Sequence, residues 1–266
     1  MSSEEIHWIF EHFKMFGFAV PRFLALFAIL PLLSKEAMPM TLRMGMVSSF
    51  AAILVPGLME QHRPEVGPLA ILGLILKEVF IGATLGFILA VPLWAVEAMG
   101  DMADTQRGAS IAQTLNPLTG HETSPLGQLF NQAIVTFLFV VGGFLAVLGV
   151  VYDSFALWPI FSFWPGFTPG AAEVMLSFVD RLMYLAVLMG VPVIFTMFIA
   201  EAGLAIVSRF APQLQVFFLA MPVKSGIAML VFAVYAVVLF DYAHDIIDEN
   251  IRDAKRTLGS MLRKAG

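Results

Sequence analysis

Apolar residues along this chain fall into six long blocks separated by shorter polar ones. The blocks run over Phe16–Leu33, Leu42–Met59, Val66–Met99, Leu129–Tyr152, Phe178–Val207 and Leu214–Phe240. Crossing a bilayer takes about 20 helical residues, so all but the first two are comfortably long. Val66–Met99 is too long for one simple span and carries Lys77, Glu78 and Pro92; a kinked or broken helix, or a helical hairpin, is expected there. No stretch alternates apolar and polar residues at period two, so the expected fold class is all-α, built of membrane-type helical hairpins. Pro21, Pro31, Pro56, Pro92, Pro192 and Pro222 punctuate nearly every block. Each removes a hydrogen bond from the helical ladder, which predicts bent or interrupted helices. Gly142 and Gly143 interrupt the fourth block, while Gly82 and Gly86 form a GxxxG that permits close approach of two backbones.

The polar stretch from Glu97 to Pro125 stands out because it lies between apolar spans yet carries Glu97, Asp101, Asp104, Arg107 and Glu122. Charge also falls inside or at the lip of the apolar blocks, at Arg22, Lys77, Glu78, Glu97, Glu201, Arg209 and Lys224. Each such residue costs roughly 2.5–3.5 kcal/mol at the centre of a lipid-facing helix, so these side chains are expected to face protein or water. Structural pairing or snorkelling covers any one of them; shelter for the whole set is expected from neighbouring subunits or a watery lumen. Intramembrane carboxylates also mark ion pathways, so an ion-coupled secondary transporter using Glu97, Asp101, Asp104 and Arg107 is the rival reading, although no inverted repeat relates the two halves.

Two further segments differ from the apolar blocks. Asp153–Glu173 places Trp158 and Trp164 among phenylalanines, prolines and glycines, the composition of an interfacial or re-entrant loop, or of a surface against a neighbour. From Asp241 onward acidic residues (Asp241, Asp245, Asp248, Glu249, Asp253) precede basic ones (Lys255, Arg256, Arg263, Lys264). Acid before base suits a helix dipole, so residues 241–266 are expected as a short solvated helical tail on an apolar body spanning 1–240. Its basic end beside a membrane span points to the cytoplasm under the positive-inside rule.

Composition agrees with the pattern. Hydrophobic residues make up 59% of the 266 and charged ones 13%, against soluble norms of roughly 45–50% and 25%. Mean hydropathy is +0.86. A net charge of −5 argues against a nucleic-acid partner. With no cysteine, disulfides and thiolate chemistry are excluded, and His7, His12, His62, His121 and His244 show no metal-ligand spacing. No nucleophile elbow or cofactor fingerprint is present, so neither an enzyme nor a cofactor is expected. The opening residues, MSSEEIHWIFEHFK, are acidic and aromatic and do not read as a cleavable signal peptide.

From Ala200 the chain reads AEAGLAIVSRFAPQLQVFFLAMPVKSGIAML. Glu201, then Arg209-Phe210-Ala211-Pro212-Gln213, an apolar run, and Pro222 with Lys224-Ser225-Gly226 resemble the FliR/SpaR (SctT) family of type III export apparatus membrane proteins. Gln215 stands where the family often carries Asn. An earlier set matches in order: Lys77, Glu78, Gly82 and Gly86, then Asp104, Gln106, Arg107, Gly108, Asn116, Pro117 and Gly120. Together they extend the resemblance over essentially the whole chain, as one subunit of 1–266.

The resemblance implies a non-catalytic subunit of a hetero-oligomeric helical export gate in the bacterial inner membrane, passing unfolded proteins. Its implied partners are FliP/SctR-like and FliQ/SctS-like membrane subunits and a FlhB/SctU-like switch protein. The segment after Gln106-Arg107-Gly108 is implied to plug the channel, over about Gln106 to Glu122 and including Ala109, Ser110, Asn116, Pro117 and Gly120. Lys77, Glu78, Gly82, Gly86, Glu97, Asp104, Glu201, Arg209, Pro212, Gln213 and Lys224 are expected in subunit packing or as buried polar groups. The Lys224-Ser225-Gly226 turn looks more like the injectisome branch than the flagellar one.

Overall fold

The fold was obtained as a computed structural model, which describes residues 3–33, 38–59, 67–108, 124–162, 166–167, 170–211 and 216–263. Seven α-helices account for most of them: α1 (Ser3–Ile29), α2 (Met40–Met59), α3 (Pro68–Arg107), α4 (Pro125–Val140), α5 (Gly143–Leu157), α6 (Ala171–Phe210) and α7 (Val216–Met261). A short 3₁₀ turn follows α1 at Pro31–Leu33, and β1 (Gly166–Phe167) pairs antiparallel with β2 (Leu262–Arg263), two residues each. The chain is therefore all-α in class. Five of the helices are long and apolar enough to cross a membrane, or six if the broken α4–α5 pair is taken as one span.

The described parts of the apolar blocks are mostly helix, and one of the expected proline breaks is present: α1 ends at Ile29 and Pro31 opens the 3₁₀ turn. From Pro68 on, the third block is neither hairpin nor broken span; it belongs to one continuous helix of 40 residues, Pro68–Arg107. Pro21, Pro56, Pro92, Pro192 and Pro222 all lie inside uninterrupted helices. A lone proline frees one carbonyl and leaves the rest of a long ladder intact, a loss that neighbouring groups can make good. The fourth block breaks without a proline, at Val141–Gly142. There Gly142 takes a left-handed backbone with φ of 77°, which costs a glycine little and an L side chain about 1–2 kcal/mol. The last helix brings another correction: residues from Asp241 on are not a separate solvated tail but continue α7 to Met261. Ala243, Ile246, Ile247, Ile251 and Ala254 recur at helical spacing and are buried, so this segment has an inner face.

The Cα positions group into two compact units. The first comprises residues 1–90, 142–177 and 249–266. Its core is aromatic: Phe23, Phe27, Phe50, Phe144, Tyr152 and Phe155 lie in a chain of ring contacts with centroids 5.7–6.4 Å apart. Helices α1 and α3 meet backbone to backbone at the GxxxG. A β-carbon at Gly82 would lie 2.1 Å from the Arg22 carbonyl oxygen, and one at Gly86 2.8 Å from that of Leu26.

The second unit comprises residues 91–141 and 178–248. The Phe130 and Phe232 rings meet at 4.6 Å and those of Phe137 and Phe240 at 5.4 Å, both tilted, joining α4 to α7. Helix α4 opens on Ser124, whose hydroxyl accepts from the Gly127 amide, with Pro125 in the first turn. Close to that start Gly100 faces Gly127; a β-carbon on Gly100 would come within 2.7 Å of the Gly127 Cα.

Candidate functional site

In the first unit the close α1–α3 contact carries a buried polar node. Glu78 and Gly82 are four residues apart and share a face of α3, so the spacing that seats Gly82 on the Arg22 carbonyl also brings Glu78 to the Arg22 side chain. Arg22 Nε donates to Glu78 Oε2 at 2.7 Å, and both side chains are wholly buried. The guanidinium also donates to Ser154 Oγ at 2.9 Å and to the Trp158 carbonyl at 3.0 Å, and lies 3.8 Å from the Phe155 ring centroid. Lys77 Nζ sits 2.9 Å from Glu78 Oε1 and donates to the carbonyls of Pro159, Ile160 and Ser162. Arg43, which the sequence reading did not single out, is buried as well and donates to the Phe27 carbonyl.

The sequence left structural pairing open for any one of these charges and looked to neighbouring subunits or a lumen for shelter of the set. For Arg22, Lys77 and Glu78 the chain provides it alone. Trp158 likewise departs from an interfacial placement: it is buried, with its indole N–H donating to the Ser162 carbonyl at 2.9 Å. The signal for this arrangement was the Ser154–Ser162 run following an apolar helix, where freed backbone carbonyls need donors.

In the second unit the polar side chains gather at the two ends of the 109–123 segment. Asp104 is buried in the last turn of α3. Its Oδ2 accepts from Ser124 Oγ at 2.6 Å and from the Leu126 amide at 2.8 Å, both at the start of α4. Its Oδ1 meets Arg107 Nε at 2.6 Å. One carboxylate thus joins the residues before the segment to those after it and supplies negative charge at a helix N-terminus. Gly108, with φ of 84°, ends α3. Asp101 is exposed and lies over Gly127, and Gln106 is half-buried. One turn back, Glu97 Oε2 accepts from Asn131 Nδ2 at 2.7 Å. Glu201 and Lys224 pair at 3.2 Å on α6 and α7, with Lys224 buried and Glu201 half-exposed. Arg209 is exposed at the end of α6. Ala109, Ser110, Asn116, Pro117, Gly120, Glu122, Pro212 and Gln213 lie outside the described residues.

Chemically, these groups hold backbone and one another. No cluster of three or more metal-ligating side chains occurs among the described residues. Of the carboxylates an ion relay would use, Glu97 and Asp104 are tied to donors on α4, while Asp101 is exposed.

Comparison with known proteins gives one family. The family model described as "Bacterial export proteins, family 1" matches residues 13–250. The chain is 39% identical to "Yop proteins translocation protein T" of Yersinia pestis over 225 residues, 84% of this chain and 86% of that protein. It is 34% identical to "Secretion system apparatus protein SsaT" of Salmonella typhimurium, covering 78% and 81% of the two chains. "Flagellar biosynthetic protein FliR" of Bacillus subtilis is 27% identical, with 94% and 96% covered.

Proposed function

The chain belongs to family 1 of the bacterial export proteins, and from that premise we propose that it is a subunit of a type III secretion export gate whose segment 106–122 closes the channel at rest. It is an export-apparatus component rather than an enzyme. The observation that carries the plug reading is the Asp104 clasp. By receiving Ser124 Oγ and the Leu126 amide while pairing with Arg107, it holds both stems of a polar segment whose own composition suits neither lipid nor a packed core. A segment held at both ends can occupy a lumen without its helices having to rearrange.

The injectisome branch is favoured by the Lys224-Ser225-Gly226 turn and by the 39% identity to a Yop translocation protein, against 27% to a flagellar one. The proposed partners are FliP/SctR-like and FliQ/SctS-like subunits and a FlhB/SctU-like switch protein in the bacterial inner membrane. The basic residues Lys255, Arg256, Arg263 and Lys264 favour a cytoplasmic C-terminus. Ion-coupled transport is disfavoured, because Asp104 and Glu97 are engaged in holding α4.

Two measurements test the proposal. Native mass spectrometry of the detergent-extracted chain, co-expressed with its operon neighbours, should return a hetero-oligomer with one copy of it; a chain that ignores its neighbours refutes the gate. Deleting Gly108–Gly120 should make cells carrying the resting gate leak small ions, and an unchanged conductance refutes the plug.

A further inference from the structure

The C-terminal end of α7 is fastened to the first unit in an unusual way. Over residues 249–257 the buried side chains are Asn250, Ile251 and Ala254. Within 249–257 the apolar anchor is therefore one isoleucine and one alanine, and the third inward position is an amide. Asn250 is 1% exposed, and neither its Nδ2 nor its Oδ1 has a hydrogen-bond partner among the described residues. A buried amide that has given up water and gained nothing opposes docking, whereas an apolar side chain of similar shape would favour it.

Two more observations describe the same seam. Lys255 Nζ meets Asp153 Oδ2 on α5 at 2.8 Å, but the two side chains are 47% and 56% exposed, the setting in which an ion pair adds little. Beside that pair lies a cavity of about 330 Å³ lined by Val150, Asp153, Ala156, Leu157 and Lys255, so α7 and α5 do not close on each other there. Past the helix, the antiparallel β1–β2 pair secures the end by two residues of backbone ladder. Weak fastening, an open seam and an opposing polar group thus coincide on one stretch of a helix whose upstream part is held by the ring contacts of Phe232 and Phe240.

We propose that residues 249–263 form a detachable strap, docked metastably on α5 and β1, and that the buried amide of Asn250 sets how readily it lifts. Lifting needs no new chemistry: the Lys255–Asp153 pair opens to water, the two-residue ladder separates, and the Asn250 amide regains solvent. The upstream part of α7 stays in place.

Hydrogen–deuterium exchange on the full-length chain in lipid nanodiscs tests this. In the wild-type chain, amides of 250–261 should exchange at least about ten times faster than those of 228–240 in the same helix, the separation expected between a sub-global opening and a packed core helix. N250L should slow exchange of 250–261 by about tenfold, the effect of removing one unpaired buried amide, and leave 228–240 unchanged. D153N, at an exposed position, should accelerate 250–261 by up to a few fold through loss of the ion pair. Equal exchange of the two wild-type stretches overturns the strap whether or not the variants accumulate. Faster exchange in N250L overturns the role assigned to the amide.

Discussion

Replacing Gly82 by alanine adds one methyl group at the point where α1 and α3 touch. The new carbon would lie 2.1 Å from the Arg22 carbonyl oxygen and 2.9 Å from its carbon, both backbone atoms that no rotamer change can move. The helices must back off by roughly 1 Å or more to restore van der Waals contact. Glu78 is one turn away on the same face, so the retreat stretches the 2.7 Å Arg22–Glu78 bond toward roughly 3.7 Å, outside hydrogen-bond range. Overpacking costs about 1–3 kcal/mol and breaking a buried ion pair about 3–5 kcal/mol. A net loss of about 4 kcal/mol is expected even with partial relaxation of both. Gly45 on α2 is the control, because a β-carbon there meets nothing within 4 Å; G45A should be neutral or stabilising by up to about 1 kcal/mol. Unfolding free energies of the purified chains, measured by SDS titration with tryptophan fluorescence, compare the two. If G82A unfolds within about 1 kcal/mol of G45A, the coupling between the glycine contact and the buried pair is wrong.

Three other substitutions probe the remaining nodes. D104A removes the acceptor of Ser124 Oγ and the Leu126 amide and leaves Arg107 unpaired, so it should destabilise by about 2–4 kcal/mol in the same titration, while S124A, which loses the cap and one bond to Asp104 but keeps the Leu126 and Arg107 contacts, should cost about 1–2 kcal/mol. K77M deprives the Pro159 and Ile160 carbonyls of their Lys77 donor and leaves Ser162 with the Trp158 indole, so it should shift tryptophan emission to longer wavelength as water reaches the Trp158 neighbourhood; an unchanged spectrum counts against the role of Lys77. G142A has free space for its methyl but a left-handed backbone, so it should cost about 1–2 kcal/mol, and a neutral result removes strain as the reason for glycine at the α4–α5 break.

How much of this was legible in the sequence depended on which signal carried it. Block length and hydropathy located the helices because burying backbone hydrogen bonds in an apolar medium leaves helix as the default. Proline marked the interruption at Pro31 but not one at the five prolines inside helices, since its effect is local and the ladder on either side of Pro92 outweighs it. Gly142 was the better guide, for its φ lies where no other residue rests cheaply. Asp104 was singled out as polar in an apolar chain, but its partners were not readable: Ser124 and Leu126 are about twenty residues away, and their pairing depends on how α3 meets α4 at Gly100 and Gly127. Asn250 escaped because it sits in a run of acids and bases that reads as a solvated face. The recurrence of Ala243, Ile246, Ile247, Ile251 and Ala254 at helical spacing was the available sign that one side of that run turns inward.

The buried charges follow from where α5 stops. The helix ends at Leu157, and the irregular backbone that follows, Trp158–Ser162, has carbonyls that no helical ladder supplies with donors. Where that backbone turns inward, at the buried Trp158 and Ile160, its carbonyls need donors from elsewhere on the chain. Arg22 supplies one to Trp158, and Lys77 supplies Pro159, Ile160 and Ser162. Two buried cations then require a counter-ion, and Glu78 bonds to both, one carboxylate oxygen to each. Glu78 reaches Arg22 because Gly82, one turn on, lets α3 lie against the backbone of α1. Each member of the set is thus needed by the one before it, starting from an irregular backbone and ending at a glycine. Charges placed by that sequence of needs report on the chain's own fold, which is why Arg22, Lys77 and Glu78 require no neighbouring subunit to be buried.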